Sequence, residues 1–298
     1  AVDMHLPKNL PPKKKIPTVL VQTRYWRSIN LRWPGKWFVD EHFYSEPAKW
    51  AKELVKHGYA LMIVDVRGSG ASGGTSPYPW NPQQLSDGEE LVDFIIRQPW
   101  SDHRVGLWGV SYMGIAAERL LAQKHPNVVC LMNQYGAWDL YRDMAYPGGV
   151  FSDFFVGKWA QFNQALDANE IPVGSRFIQR QVRGPRPVML DKEGEKMAEL
   201  QKQRANGNVY DLVKGLKCRN QPVYITEEGM TAADISPSAL VGQRKRYQCS
   251  SLQYVRLVGR CQYAGCHSPP QQPDQPPEPP GAGTLATLGF MEHQPQLP

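Results

Sequence analysis

The sequence has no apolar run of the ~18 residues that a membrane-crossing helix needs, so no helical span and no membrane partner are expected. It has too few cysteines for a disulfide framework: five, an odd number, with Cys249, Cys261 and Cys266 crowded toward the C-terminal end. Cys130 falls in an apolar run and is expected on a buried strand. Cys261, Cys266 and His267 lie together but lack a second ligand pair at metal spacing, so no metal is expected, nor any other cofactor. Charge of one sign is not in large excess, the net being +6. The most visible basic run, Lys13-Lys14-Lys15, is flanked by prolines and reads as a solvated turn. No nucleic-acid module accompanies it, so no nucleic-acid partner is expected.

What is present is the composition of a globular protein, 41% hydrophobic and 21% charged, in a chain long enough for one large α/β domain. Residues 18–23 (TVLVQT) are β-branched and read as a buried strand. After an aromatic, basic loop (YWRSINLRWPGKWF), Ser45 followed by Glu46, Pro47 and Ala48 marks a helix start, the serine capping and the proline in the first turn. That helix should end near Gly58. Residues 59–66 (YALMIVDV) form a continuous apolar strand, as in a parallel sheet covered on both faces. A glycine-rich loop and a proline-rich stretch follow. Then 86–97 (SDGEELVDFIIR) reads as helix, 105–110 as strand, 112–125 as helix and 128–133 as strand. The order β-α-β-α-β-α-β predicts a doubly wound, mostly parallel sheet. From residue 141 to 235 the pattern is helical, as at 191–205 (DKEGEKMAELQKQRA), and predicts a cap inserted into a core of residues 1–140. Residues 236–298 turn rich in Pro and Gln, and the stretch SPPQQPDQPPEPPGAG cannot build a core and is expected to be disordered.

In GLWGVSYMG at 106–114, Ser111 stands where a strand meets a helix, with Gly109 two residues before it and Gly114 three after. A nucleophile elbow, a tight turn that lifts a serine hydroxyl above the sheet, needs small neighbours of this kind. The usual second glycine stands at plus two, where this chain has Met113. A serine merely capping the helix is the simpler alternative, and spacing alone leaves both open.

Four blocks bear on that choice: DVRGSGASGG at 65–74, RQPWSDHRVG at 97–106, GVSYMG at 109–114 and DLYRDMAYPGG at 139–149. They resemble the cocaine esterase and X-Pro dipeptidyl-peptidase family of α/β hydrolases, and PTVLVQTRYWRS resembles its third strand and following loop. The likeness runs over about residues 1–241. It implies an α/β-hydrolase fold and a serine hydrolase cleaving an ester or amide through an acyl-enzyme on Ser111, with a small-molecule or short-peptide substrate. It also implies an oxyanion hole made by the hydroxyl of Tyr25 and the backbone N–H of Tyr112. Without it, Tyr25 would read as an aromatic packed at the sheet edge. Asp65 and Arg67 are expected to organise their loop, and Asp87 and Asp139 to serve as helix-start and loop acids.

Acyl transfer also needs a histidine base and an aspartate that orients it. The family's G-W-x-D and G-P-W-x-H blocks are both missing. Of seven histidines only His267 and His293 follow the serine at the expected distance, both beside proline-rich sequence, and the late aspartates Asp211, Asp234 and Asp274 stand in no strand–turn context. The expectation is therefore that residues 242–298 replace the family's C-terminal region, as a shifted reading frame would produce, and that the chain starts near the end of the family's second strand. A catalytically impaired homologue is the alternative function.

Overall fold

The computed structural model describes residues 1–37, 45–171, 176–223 and 229–240. The chain divides into two units, residues 1–262 and 263–298, and all the described residues belong to the first. In chain order its elements begin with strands β1 (Val2–His5), β2 (Ile16–Thr23) and β3 (Ile29–Leu31), then helices α1 (Glu46–Lys49) and α2 (Ala51–Lys56). Strand β4 (Ala60–Asp65), helix α3 (Pro82–Ile96), strand β5 (Ser101–Val110), helix α4 (Tyr112–Ala122) and strand β6 (Val128–Gln134) follow. Beyond a π-helical turn at Leu140–Ala145 come α5 (Asp153–Asp167), α6 (Arg176–Gln181), β7 (Val182–Pro185), α7 (Glu195–Lys202) and α8 (Val209–Val213).

The main sheet has the order β1-β4-β2-β5-β6. Strands β4, β2, β5 and β6 run parallel, and β1 is antiparallel to β4. Alternation along β2 and β4 sends Val21, Leu61 and Ile63 to one face and Leu20, Met62 and Val64 to the other. Ala48 and Ala51 of α1 and α2 cover the first face, and Val92 and Ile95 of α3 cover the second. Helix α4 serves both layers through Ile115 and Ala116 on one side and Ala117 and Leu120 on the other. Each fully buried aliphatic chain contributes about 1.5–3 kcal/mol, which is why β4, buried at every position, lies inside the sheet between β1 and β2. The expected doubly wound sheet is present.

Several expectations need correction. Helix α3 starts at Pro82, not residue 86, because Asn81 Oδ1 accepts from Gln84 N at 3.0 Å and Pro82 needs no donor in the first turn. Asp87 is therefore inside the helix, where it pairs with Arg67 Nε at 2.7 Å. Cys130 is exposed rather than buried. Its strand pairs only with β5 among the described residues, and its exposed positions face away from α4. The aromatic loop after β2 contains β3, which pairs antiparallel with β7, Ile29 opposite Pro185. Trp26, Ile29, Leu31, Leu166 and Val182 bury one another there, a tertiary pairing that no local periodicity announces. The segment expected to be disordered is described only to residue 240; residues 241–298 lie outside the described residues.

Candidate active site

The carboxyl ends of β2, β4, β5 and β6 lie along one edge of the parallel sheet, the edge where ligands bind in such folds. Ser111 stands there, between β5 and α4. Its φ of 55° and ψ of −117° belong to a turn position that favours glycine. The strained turn is held on both sides: Ser111 N donates to Gln134 O at 2.8 Å, and Ile115 N donates to Ser111 O at 3.0 Å. A side chain at Gly109 would come within 2.2 Å of the Met113 carbonyl carbon, and one at Gly114 within 2.0 Å of Asn133 Oδ1. The close approach of helix to strand thus falls at plus three, while Met113 is buried in the core. A capping serine would be extended and would accept from the helix's first N–H groups. Ser111 is not extended, makes no such bond and is exposed. The capping alternative fails on geometry.

Tyr112 heads α4, where its N–H has no intrahelical acceptor. Its ring is buried, stacked on Trp80 at 4.9 Å, and its hydroxyl donates to Gln84 Oε1 at 2.8 Å. Burial pushes the Tyr112 phenol well above its ordinary range. Trp80 Nε1 donates to the Tyr112 carbonyl at 3.0 Å, fixing that peptide. Tyr25 follows β2 at the same edge and meets the Tyr112 ring edge-on at 5.8 Å. Its hydroxyl accepts from Trp159 Nε1 at 2.9 Å, and desolvation raises its pKa. The three residues expected from sequence, Ser111, Tyr25 and Tyr112, therefore gather at one place. Trp80, Gln84 and Trp159 were not legible in advance, since each reaches the site from a different element.

Buried ion pairs hold the loop around Tyr25. Arg24 pairs with Asp167 at the end of α5 at 3.0 Å. Arg27, fully buried, reaches Asp65 at 2.8 Å, Asp3 at 3.0 Å and the Arg186 carbonyl at 2.9 Å. Asp65 also accepts from Arg27 N and Ala71 N, so it organises the glycine-rich loop rather than reacting. Gly70 is needed there, because its φ is +51° and a Cβ would lie 2.2 Å from the Asp65 carboxyl. Asp139 caps the π-helical turn and pairs with Arg219.

Four histidines are described, and all lie toward the opposite edge of the sheet. His5 pairs with Leu61 at the start of β4, His57 closes α2, and His125 follows α4 with Nε2 3.2 Å from Asp93. His103 is near the start of β5, ~26 Å along the strand from Ser111. His42, His267, His293 and Asp274 lie outside the described residues. Asp211 is exposed on α8, and the Asp234 carboxylate is engaged by Thr231 N at 2.8 Å and Thr231 Oγ1 at 2.7 Å. Trp80, Trp159, Leu140, Met144, Leu212 and Val223 line a small pocket with no charged side chain, which Ser111 and Tyr25 do not line either. A larger concavity, between α3 and β1–β4, includes neither Ser111 nor Tyr25. No helix among the described residues is long and apolar enough to cross a membrane, and no group of metal-ligating residues occurs among them.

Residues 1–216 match the family model described as X-Pro dipeptidyl-peptidase (S15 family). The chain belongs to the S15 family. A proposed serine esterase of Mycobacterium bovis is 35% identical over 226 residues, covering 74% of this chain and 36% of that protein. The cocaine esterase of a Rhodococcus species is 29% identical over 161 residues, 54% of this chain and 25% of the esterase. A solved CocE/NonD family hydrolase from Staphylococcus aureus aligns with a TM-score of 0.46 at 24% identity, covering 61% of this chain and 35% of that one. This S15 chain thus spans about a third of the length of the mycobacterial protein it matches.

Proposed function

We propose that this S15 family member is a serine hydrolase that transfers the acyl group of an ester or amide to Ser111. The hydroxyl attacks the carbonyl, and the Tyr25 O–H and the Tyr112 N–H stabilise the developing alkoxide. The substrate's C–O or C–N bond breaks and the alcohol or amine leaves with the serine's proton, and water then hydrolyses the acyl-enzyme to a carboxylic acid and restores the hydroxyl. The observation that carries this reading is the backbone of Ser111, which leaves its hydroxyl exposed at the strained head of α4. An uncharged pocket lies against Trp80 and Trp159, the indoles that contact Tyr112 and Tyr25, and would suit an apolar part of the substrate.

One observation favours a second reading, a scaffold with an intact elbow but little turnover: no described histidine lies at the edge that holds Ser111. Residual oxyanion stabilisation would then leave ~10³–10⁴-fold acceleration over water. Labelling with a fluorophosphonate, in the unaltered chain and in Ser111→Ala, tests the proposal. Labelling lost in Ser111→Ala is expected. A folded chain that does not label refutes the hydrolase reading and leaves the second.

A further inference from the structure

We propose that Trp159 is a positioning residue of the oxyanion hole, its indole N–H fixing the rotation of the Tyr25 hydroxyl so that the phenolic hydrogen faces the elbow. The inference rests on the reading of Tyr25 as an oxyanion donor. An indole nitrogen can only donate, so in the 2.9 Å contact the Tyr25 oxygen is the acceptor and its own hydrogen must point elsewhere. Donation into that oxygen also polarises the remaining O–H bond and strengthens it as a donor. Trp159 is itself fixed, stacked 6.0 Å from Trp80 with an angle of 27°. Trp80 in turn donates to the Tyr112 carbonyl, so the indole that stacks on Trp159 also anchors the first turn of α4.

Helix α5 makes this a single device. Trp159 touches the Tyr25 hydroxyl, Phe162 packs on the Tyr25 ring at 5.8 Å, and Asp167 receives Arg24. One element thus grips the hydroxyl and the ring of the donor and the side chain of its neighbour Arg24.

The test replaces Trp159 by phenylalanine, which keeps an aromatic ring against Trp80 and removes the donor together with part of the ring. In Trp159→Phe the rate of fluorophosphonate labelling of Ser111 should fall about 3- to 10-fold, the size of one net hydrogen bond. In a Tyr25→Phe background the same substitution should change the rate by less than about twofold, because the group it orients is gone. An equal loss in both backgrounds would mean simple packing and overturns the proposal. A second readout is independent of labelling: the ionisation of Tyr25, followed by NMR of ¹³C-labelled tyrosine, should move upward in Trp159→Phe. An unchanged titration overturns the proposal. If the unaltered chain does not label, the hydrolase reading falls and the proposed role of Trp159 with it, whereas a chain that labels but loses rate equally in both backgrounds overturns the role of Trp159 alone.

Discussion

The backbone of Ser111 offers a direct energetic test of the elbow. At φ 55° and ψ −117°, a Cβ crowds the turn, and conformations of this kind cost about 1–3 kcal/mol for an L-residue. Ser111→Ala and Ser111→Gly both remove the hydroxyl, but only the glycine variant removes the Cβ. Glycine also gains about 0.4–1 kcal/mol of unfolded-state freedom, which opposes the relief. The net expectation is that Ser111→Gly is more stable than Ser111→Ala by about 0.5–2 kcal/mol. At nearly every other position outside the left-handed region the order is reversed. Urea unfolding of the two variants side by side, compared at equal slope, reads the difference, and thermal unfolding should separate them by about 2–4 °C per kcal/mol. An alanine variant as stable as the glycine variant, or more so, would refute the idea that the elbow stores strain. The hydroxyl's exposure would then need another cause.

Two further outcomes follow from the buried charges and phenols. Asp65→Ala strips the carboxylate from a guanidinium whose side chain is 1% exposed, leaving Arg27 with Asp3 and one carbonyl, and should cost about 3–5 kcal/mol. A loss under about 1 kcal/mol in urea would contradict that role, whereas replacing Arg27 and Asp65 together by apolar residues should recover much of the loss. Burial raises the pKa of both Tyr25 and Tyr112, so above their ordinary pKa of 10.0 the unfolded chain releases protons that the folded chain keeps. Stability from these groups is complete below pH 10 and falls as pH rises beyond it. Tyr112→Phe should therefore lose less stability than the unaltered chain between about pH 9 and pH 11. Parallel losses in the two would show that Tyr112 does not resist ionisation.

Local patterns carried much of the framework. The β-branched run at 18–23 and the apolar run at 59–66 became β2 and β4, because a strand buried on both faces is predominantly apolar. Ser45 and Pro47 marked the start of α1, since a cap and a missing N–H act within one turn. Spacing also singled out Ser111, and resemblance added Tyr25 and Tyr112. Periodicity failed where a contact spans a long stretch of chain. The exposure of Cys130 depends on which strands flank β6, and β3 exists because β7, more than 150 residues later, completes its pairing.

The site divides in the same way. By itself the sequence determined the doubly wound order of the core and the serine between strand and helix, because hydrophobic period and tight-turn chemistry are local properties. Only the tertiary structure decided that the hydroxyl is not a cap, that Gly114 rather than a glycine at plus two clears Asn133, and that Trp80 and Trp159 reach the elbow. Those outcomes depend on which side chains converge across the sheet edge, and convergence in space leaves no period in the chain.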